Sequence, residues 1–378
     1  MIIKDCNIIF TDKIEKGSIL IEDGKIKEIN PRIEESSHII DGSSLYLSPG
    51  FIDVHIHGAG GHDTMDGTFE SLNEIAKVIS THGTTSFLPT TMTCSIEDIK
   101  KSVEAIAYAK KNGTEGANVI GAHLEGPFIS PEMIGAQNPN YIQKPSVDTF
   151  KEIVNDNIDA ITSVTLAPEL DGAKELISYL KENNITPSMG HTKAKYTEAI
   201  EGIKCGVCHA THLFNAMTPF HHREPGVVGA IFDTDITTET ISDGIHINYA
   251  SLRTAYKVKG TDKVLLVTDA MMACCMPDGN YSLGGQDVIV ENGAARLKNG
   301  ALAGSVLTLD AAVKNVYNNT NYPLNEVINM ASLNGAKLCK VDHRKGMIKE
   351  GYDADLVLFD ENINVKYTIV NGKVVYSA

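Results

Sequence analysis

The sequence predicts an α/β protein in which a (β/α)₈ TIM barrel is joined to a small β domain formed from both chain ends. The middle of the chain predicts the barrel, because about eight apolar β runs there alternate with amphipathic segments of helical length. The two ends predict the small domain, because they alternate apolar and polar residues around turn signals at Asp23-Gly24 and Asn371-Gly372. Strand–helix alternation also fits an open, doubly wound sheet, so the pattern alone leaves that alternative open.

The barrel is expected in residues 48–345, and the small domain in residues 1–47 plus 346–378. Apolar runs predict barrel strands at residues 50–57, 85–89, 118–125, 160–167, 186–191, 207–214, 240–246 and 264–269. Amphipathic spacing predicts helices at residues 69–81, 96–111, 172–182, 195–202 and 249–258. Residues 277–304 break this rhythm with many glycines, which predicts a β-hairpin insertion.

Composition excludes several classes of function. The formal charge of −15 argues against nucleic acid as a partner, since binding would need a basic surface. No apolar run is long enough to span a membrane, so no membrane association is expected. Seven cysteines, an odd and scattered set, favour free thiols over a disulfide framework. The beginning, MIIKDCNIIF, lacks the layout of a signal peptide, and we therefore expect a cytoplasmic protein.

Two histidines, His55 and His57, end the first barrel run, PGFIDVHIHG. Residues two apart on a strand share a face, so both imidazoles should project at the carboxyl rim of the barrel, where active sites lie. Four further runs end on an imidazole or a carboxylate, and such groups are ligands for Zn²⁺, Fe²⁺, Mn²⁺ or Co²⁺. The sequence therefore predicts a centre for one or two divalent ions, with Glu125 bridging, built from His55, His57, Glu125, His191, His212 and Asp269.

Several motifs resemble those of a known enzyme family. PGFIDVHIHG near the beginning and KGMIKEGYDADLVLFD near the end are similar to the amidohydrolase superfamily. HLEGPFISP, THLFNAMTPFHHREPGVVG and TDAM resemble the N-acetylglucosamine-6-phosphate deacetylases within it, and the similarity follows the chain in order. The resemblance implies a (β/α)₈ barrel with a small β-sandwich, and a metal-dependent hydrolysis that releases acetate and D-glucosamine 6-phosphate.

The same resemblance implies roles for individual residues. Asp269 matches the catalytic aspartate, which serves as general base and then as general acid. Arg223 matches an arginine that reaches the phosphate in the neighbouring subunit, so a homodimer is expected. Gln137 departs from the histidine usual in the family, and glutamine cannot carry a proton or a charge. The full set of expected substrate-binding positions is Ala136, Gln137, Asn215, Ala216, Arg223, His246, Leu302, Ala303 and Gly304.

Three other functions stay open at this point. A different amidohydrolase that opens a cyclic amide often bridges its metals with a modified lysine on the fourth strand, but ITSVTLAPEL has no lysine. A metabolite-binding relic without activity should have lost ligands, and this chain retains every candidate. An N-acetylgalactosamine-6-phosphate deacetylase would differ only in the orientation of one substrate hydroxyl, which the sequence does not resolve.

Overall fold

A computed structural model describes residues 1–32 and 38–378 of the chain. Its main body is a barrel of eight parallel strands surrounded by helices, as the sequence predicts. Residues 33–37, part of the predicted small domain, lie outside the described residues. Within the described ranges, no helix combines the length and the apolar character needed to cross a lipid bilayer.

The eight barrel strands follow one another in chain order, and each pairs with the next. The first and last meet through a parallel bridge between Ile56 and Ala270, and the Asp269 N–H donates to the His55 carbonyl at 2.9 Å. The ring is therefore closed, which rejects the open sheet. The strands are Phe51–Ile56, Thr84–Thr91, Ala122–Glu125 with the short Asn118–Val119 before it, Ile161–Leu166, Thr186–Met189, His209–Ala210, Thr237–Ile241 and Val264–Val267.

Helices cover the outside of the barrel and bury their apolar sides against the strands. Capping hydroxyls begin several of them: Thr68 accepts from the Ser71 N–H, and Ser95 accepts from the Asp98 N–H. The α-helices are Phe69–Ser80, Ile96–Asn112, Val147–Val154, Ala173–Glu182, Tyr196–Cys205, Gly226–Phe232, Tyr249–Lys259, Leu309–Asn319, Leu324–Ala331 and Leu333–Leu338. Single 3₁₀ turns occur at Thr64–Asp66, Pro139–Tyr141 and Thr261–Lys263, and a longer 3₁₀ segment at Asn155–Ala160.

Strands from both chain ends form a second sheet with its own apolar core. Its two predicted turns are confirmed, since Asp23-Gly24 and Asn371-Gly372 each join antiparallel strands with positive φ at both residues. The boundaries of the small domain stay a prediction. The strands are Ile2–Ile9, Ile14–Glu22, Lys25–Ile29, Ile39–Asp41, Tyr46–Pro49, Leu356–Phe359, Val365–Val370 and Lys373–Ser377.

Two small antiparallel sheets lie at the carboxyl rim of the barrel. Gly279–Leu283, Gln286–Glu291 and Ala294–Leu297 form three strands in the segment where a hairpin is predicted. This insertion packs its apolar side on Met92 and Met271, which come from segments near the rim. Gly58–Ala59 and His62–Asp63 form a short hairpin directly after the first strand. Both sheets therefore lie beside the rim where the candidate ligands were predicted.

Candidate metal and substrate site

All six predicted metal ligands meet at the carboxyl rim of the barrel. Glu125 ends the third strand and lies at the centre of the group. The other five residues lie in or just after the first, fifth, sixth and eighth strands. His191, His212 and Asp269 each adopt a positive φ, of 48°, 29° and 49°. Non-glycine residues hold such backbone conformations at a cost of about 1–3 kcal/mol each, usually where a side chain must point in one direction.

Four imidazole nitrogens surround the Glu125 carboxylate. The Nε2 atoms of His191 and His212 lie 3.1 and 3.0 Å from Oε1. The Nε2 atom of His57 lies 3.3 Å from Oε2, and that of His55 lies 3.5 Å from Oε1. Glu125 is therefore the carboxylate that contacts both histidine pairs, and it would be a ligand common to ions held by either pair.

Asp269 approaches the same group from the eighth strand. Its Oδ1 atom lies 3.2 Å from His57 Nε2 and 3.5 Å from His55 Nε2. The carboxylate is thus on the side of the His55–His57 pair, and it also lines the open cleft above the barrel. It can therefore contact both a bound cation and a substrate.

The imidazoles present lone pairs to one another. Nε2 of His191 lies 3.1 Å from Nε2 of His212, and the corresponding atoms of His55 and His57 are 3.3 Å apart. His57 and His191 donate their Nδ1–H to the carbonyls of Thr90 and Met133, which leaves Nε2 unprotonated in a neutral ring. Facing lone pairs repel unless a cation lies between them, so this donor set fits a divalent metal.

The charges of the described side chains also indicate that a positive charge is needed at this site. Burial alone would raise the pKa of Glu125, but His55, His191 and His212 hold it well below its usual range. Burial lowers the pKa of His57, yet hydrogen bonds to Asp269 and Glu125 raise it to about 9, so at neutral pH its Nε2 holds either a proton or a metal ion and not a free lone pair. Carboxylates held ionised in a buried site require compensating positive charge, which a proton or a metal ion supplies.

A second set of polar residues supports these ligands, and sequence reasoning missed it. Glu239, in the middle of the seventh strand, lies 2.9 Å from His55 Nδ1 and 3.1 Å from His209 Nε2, and it accepts the His212 backbone N–H at 3.0 Å. His123, for which no role was predicted, places its Nε2 atom 2.7 Å from the Thr165 hydroxyl. An acid inside an otherwise buried barrel strand is the signal that could have identified Glu239.

Gln137 touches the metal-ligand group directly. Its Nε2 donates to Glu125 Oε2 at 2.6 Å, and its Oε1 accepts the Thr93 N–H at 2.7 Å. Both ends of this buried amide are therefore occupied by protein groups. The structure places the side chain so that it orients Glu125, a role available to a neutral residue.

A cleft of about 270 Å³ opens above the six ligands. Most of the expected substrate-binding positions line it, namely Ala136, Gln137, Asn215, Ala216, His246, Leu302 and Gly304. Ala303 instead is buried and donates its N–H to the Ala295 carbonyl. Arg223 lies outside the cleft, exposed, with its guanidinium 3.0 Å from His222 Nε2.

Both the sequence and the structure of this chain are similar to those of known proteins. The sequence pattern of the amidohydrolase family matches residues 46–375. The chain is 40% identical to an N-acetylglucosamine-6-phosphate deacetylase of Lysinibacillus sphaericus, over 95% of this chain and 93% of that protein. The crystal structure of the Pasteurella multocida N-acetylglucosamine-6-phosphate deacetylase superposes with a TM-score of 0.95 at 34% identity, covering 100% and 99% of the two chains.

A further solved structure is of the Mycobacterium smegmatis N-acetyl-D-glucosamine-6-phosphate deacetylase, as an alanine mutant in complex with N-acetyl-D-glucosamine-6-phosphate. It superposes on this chain with a TM-score of 0.94 at 27% identity and covers 100% of this chain and 99% of its own.

Proposed function

The chain belongs to the amidohydrolase family, and we propose that it hydrolyses the acetamide of N-acetyl-D-glucosamine 6-phosphate to D-glucosamine 6-phosphate and acetate. The observation that carries the proposal is the convergence of four imidazoles and the Asp269 carboxylate around Glu125 at the floor of an open cleft. A polar floor combined with a mixed polar and apolar wall suits a sugar phosphate, whose hydroxyls and ring carbons need both kinds of contact.

Two residue sets are proposed to hold one or two divalent ions. Glu125 with His191 and His212 forms one set, and Glu125 with His55 and His57 forms the other, with Asp269 beside the second. Bound there, such an ion supplies Lewis acidity, which makes water a nucleophile near neutral pH and offsets negative charge on the amide oxygen. Zn²⁺ and Fe²⁺ suit these donors best, and Mn²⁺ and Co²⁺ are also compatible.

Asp269 is proposed as the proton carrier. His55 and His57 hold its pKa below the usual range although burial opposes them, so the carboxylate is ionised and ready to accept a proton from the attacking water. The same oxygen then returns that proton to the nitrogen as the C–N bond breaks, because an amine leaves far more readily than an amide anion. Its place at both the ligand group and the cleft supports this double role.

The cleft wall is proposed to hold the sugar. Asn215 is fixed by its side-chain N–H bonds to the carbonyls of Leu213 and His212, at 3.1 and 3.3 Å. His246 is fixed by Asp243, whose Oδ2 atom lies 2.7 Å from His246 Nδ1. Side chains anchored by protein groups lose little freedom when they bind a ligand, which favours their use in recognition.

A homodimer is proposed to complete the phosphate site. Arg223 is exposed and lies outside the cleft of its own subunit, so a partner's cleft is where a guanidinium at this position would meet a phosphate. A cytoplasmic location is also proposed, in keeping with seven free cysteines.

The reaction is tested by acetate release from purified, metal-analysed protein. N-acetylglucosamine 6-phosphate, its galacto epimer and the unphosphorylated sugar are compared at equal concentration. We expect turnover of the first and strong loss with the third. Faster turnover of the galacto epimer would identify N-acetylgalactosamine 6-phosphate as the substrate. Turnover of dihydroorotate alone would show that the enzyme opens a cyclic amide and is not a deacetylase.

The dimer is tested by mixing two inactive variants. Arg223→Ala lacks the cation and Asp269→Asn lacks the proton carrier, but a mixed dimer assembles one complete site if Arg223 acts across the interface. Equal mixing makes about half of the dimers mixed, with one active site in two, so about a quarter of wild-type activity should return. No recovery after verified subunit exchange would place Arg223 in its own subunit's site or outside the reaction.

A further inference from the structure

A thiol, an imidazole and a carboxylate contact one another in turn, and none of the three lines the deacetylation cleft. Cys275 Sγ lies 3.3 Å from His82 Nε2, and His82 Nδ1 lies 3.1 Å from Asp310 Oδ2. They come from three separate places: the segment after helix Phe69–Ser80, the turn before the insertion, and the first turn of helix Leu309–Asn319. The tertiary fold therefore brings them together.

This arrangement activates a thiol in a known way. The carboxylate holds the ring so that Nδ1 carries a proton, and the protonated ring then offers Nε2–H to the sulfur, which stabilises the thiolate. Cys275 has a φ of 64°, an unfavourable value for a cysteine, so its backbone is held in place by the surrounding turn.

The electrostatics of the three groups agree with their geometry. A hydrogen bond from Cys274, followed by the contact with His82, lowers the pKa of Cys275 to about 5 against the effect of burial. Burial lowers the pKa of His82, but Asp310 and then Cys275 raise it to about 10. The neighbouring sulfur of Cys274 lies 3.8 Å from that of Cys275 and is buried.

Cys275 is also accessible, since it is one of two cysteines with an exposed residue surface, the other being Cys208. Burial of the sulfur raises the pKa of Cys208, so the two thiols differ in pKa although both residues are exposed. Cys208 therefore serves as an internal control for the reactivity of Cys275.

We propose that Cys275 is a covalent modification site for small disulfides, with His82 and Asp310 as the groups that keep its sulfur ionised. The thiolate attacks one sulfur of the incoming disulfide, a new S–S bond to Cys275 forms, and the old S–S bond breaks. The second half of the reagent departs as a thiolate with the bonding electron pair. A thiol reductant reverses the exchange.

The probe is 5,5′-dithiobis(2-nitrobenzoic acid), an aromatic disulfide whose released thiolate is coloured. Labelling rates of the full-length, metal-loaded protein are measured from pH 5 to pH 9, and peptide mass spectrometry assigns the labelled residue. Cys275→Ser and Cys208→Ser separate the two signals.

At pH 6 a thiolate with the lowered pKa is mostly ionised, whereas an ordinary thiol is about 0.3% ionised. The weaker nucleophilicity of the more acidic thiol offsets part of this advantage, so Cys275 should react roughly tenfold faster than an ordinary thiol. It should exceed Cys208 by a larger factor, because burial raises the pKa of Cys208. Its rate should level off above about pH 6, whereas that of Cys208 should rise beyond pH 8.

His82→Gln keeps a polar side chain and removes the charge, so the Cys275 profile should move to that of an ordinary thiol. Asp310→Asn should shift it in the same direction by a smaller amount. Acetate release checks that both variants are folded. A wild-type Cys275 rate that keeps rising through pH 8, or a profile unchanged in a folded His82→Gln protein, would overturn the proposal.

Discussion

The Glu239→Gln substitution tests whether a buried carboxylate behind the histidines sets the metal affinity. Glu239 is 2% exposed and has His55 and His209 as imidazole partners and the His212 N–H as a backbone donor. His55 Nδ1 and the His212 N–H meet the same oxygen, Oε2, and His209 meets Oε1. Glutamine can place its amide oxygen where Oε2 lies and so keep the contacts with His55 and the His212 N–H. Its amide N–H can then be donated to His209 Nε2, if His209 adopts the tautomer in which Nε2 is unprotonated.

The substitution therefore removes a negative charge while most hydrogen bonds remain. Without that charge, His55 is a weaker base and its orientation is less strongly fixed, so its Nε2 binds a cation less tightly. Loss of a carboxylate behind a metal-binding histidine typically lowers affinity 10- to 100-fold, which corresponds to about 1.4–2.7 kcal/mol. The effect should concern the ion held by His55 and His57 more than the one held by His191.

Competition between metal-free protein and a coloured chelator measures the affinity for Zn²⁺. Glu169→Gln is the matched control, because Glu169 accepts from the Thr192 hydroxyl at 2.5 Å and from the Lys193 N–H at 2.7 Å, both non-imidazole donors. We expect weaker binding in Glu239→Gln alone. Unchanged affinity in that variant, or an equal loss in both, would refute the reasoning.

Three further predictions concern the reaction and the fold. Asp269→Asn should reduce acetate release by roughly 10²–10⁴-fold, as expected for a lost proton carrier, and near-normal turnover would remove that role. Gln137→Ala leaves Glu125 without its 2.6 Å donor and should cost about 1–2 kcal/mol in kcat/KM, whereas Gln137→His should recover part of it; equal rates would show that the donor is irrelevant. Asp353, 7% exposed, contacts Lys25 and Arg344, and Asp353→Asn should lose about 1.5–3 kcal/mol of unfolding free energy in urea at pH 7. Burial raises the pKa of Asp353, but Lys25, Lys345 and Arg344 hold it below its usual range. Its contribution to stability is therefore present above the unfolded-state pKa of about 3.9 and disappears as pH falls through the lower folded-state pKa. A deficit that persisted in acid would contradict this assignment.

The sequence predicted the barrel because short strand-like runs recur along the chain and five of its ten α-helices have clear amphipathic periodicity. The predicted strand at 207–214 was too long: the regular strand is only His209–Ala210, since the chain then turns through positive φ at His212, Phe214 and Ala216. No helix was predicted at Val147–Val154, which is amphipathic but only eight residues long, shorter than the stretch over which helical periodicity is distinguished from other patterns.

The site could be predicted to the level of residue type but not of contacts. His55 and Asp269 could be placed at the rim because each ends an apolar run, and parallel strands end on one side of a barrel. Glu239 could not be connected to them, because its partners lie far away in sequence. The bond from Gln137 to Glu125 likewise depends on the path of a loop, which pattern does not encode.

Anomalous diffraction from crystals of the metal-loaded protein tests the central claim most directly. The account predicts a peak at about 2.0–2.2 Å from the nearest donor atoms of Glu125, His191 and His212, with a second beside His55 and His57 if two ions bind. Strong density for the ion elsewhere, with this group of side chains free of metal, would contradict the proposed function.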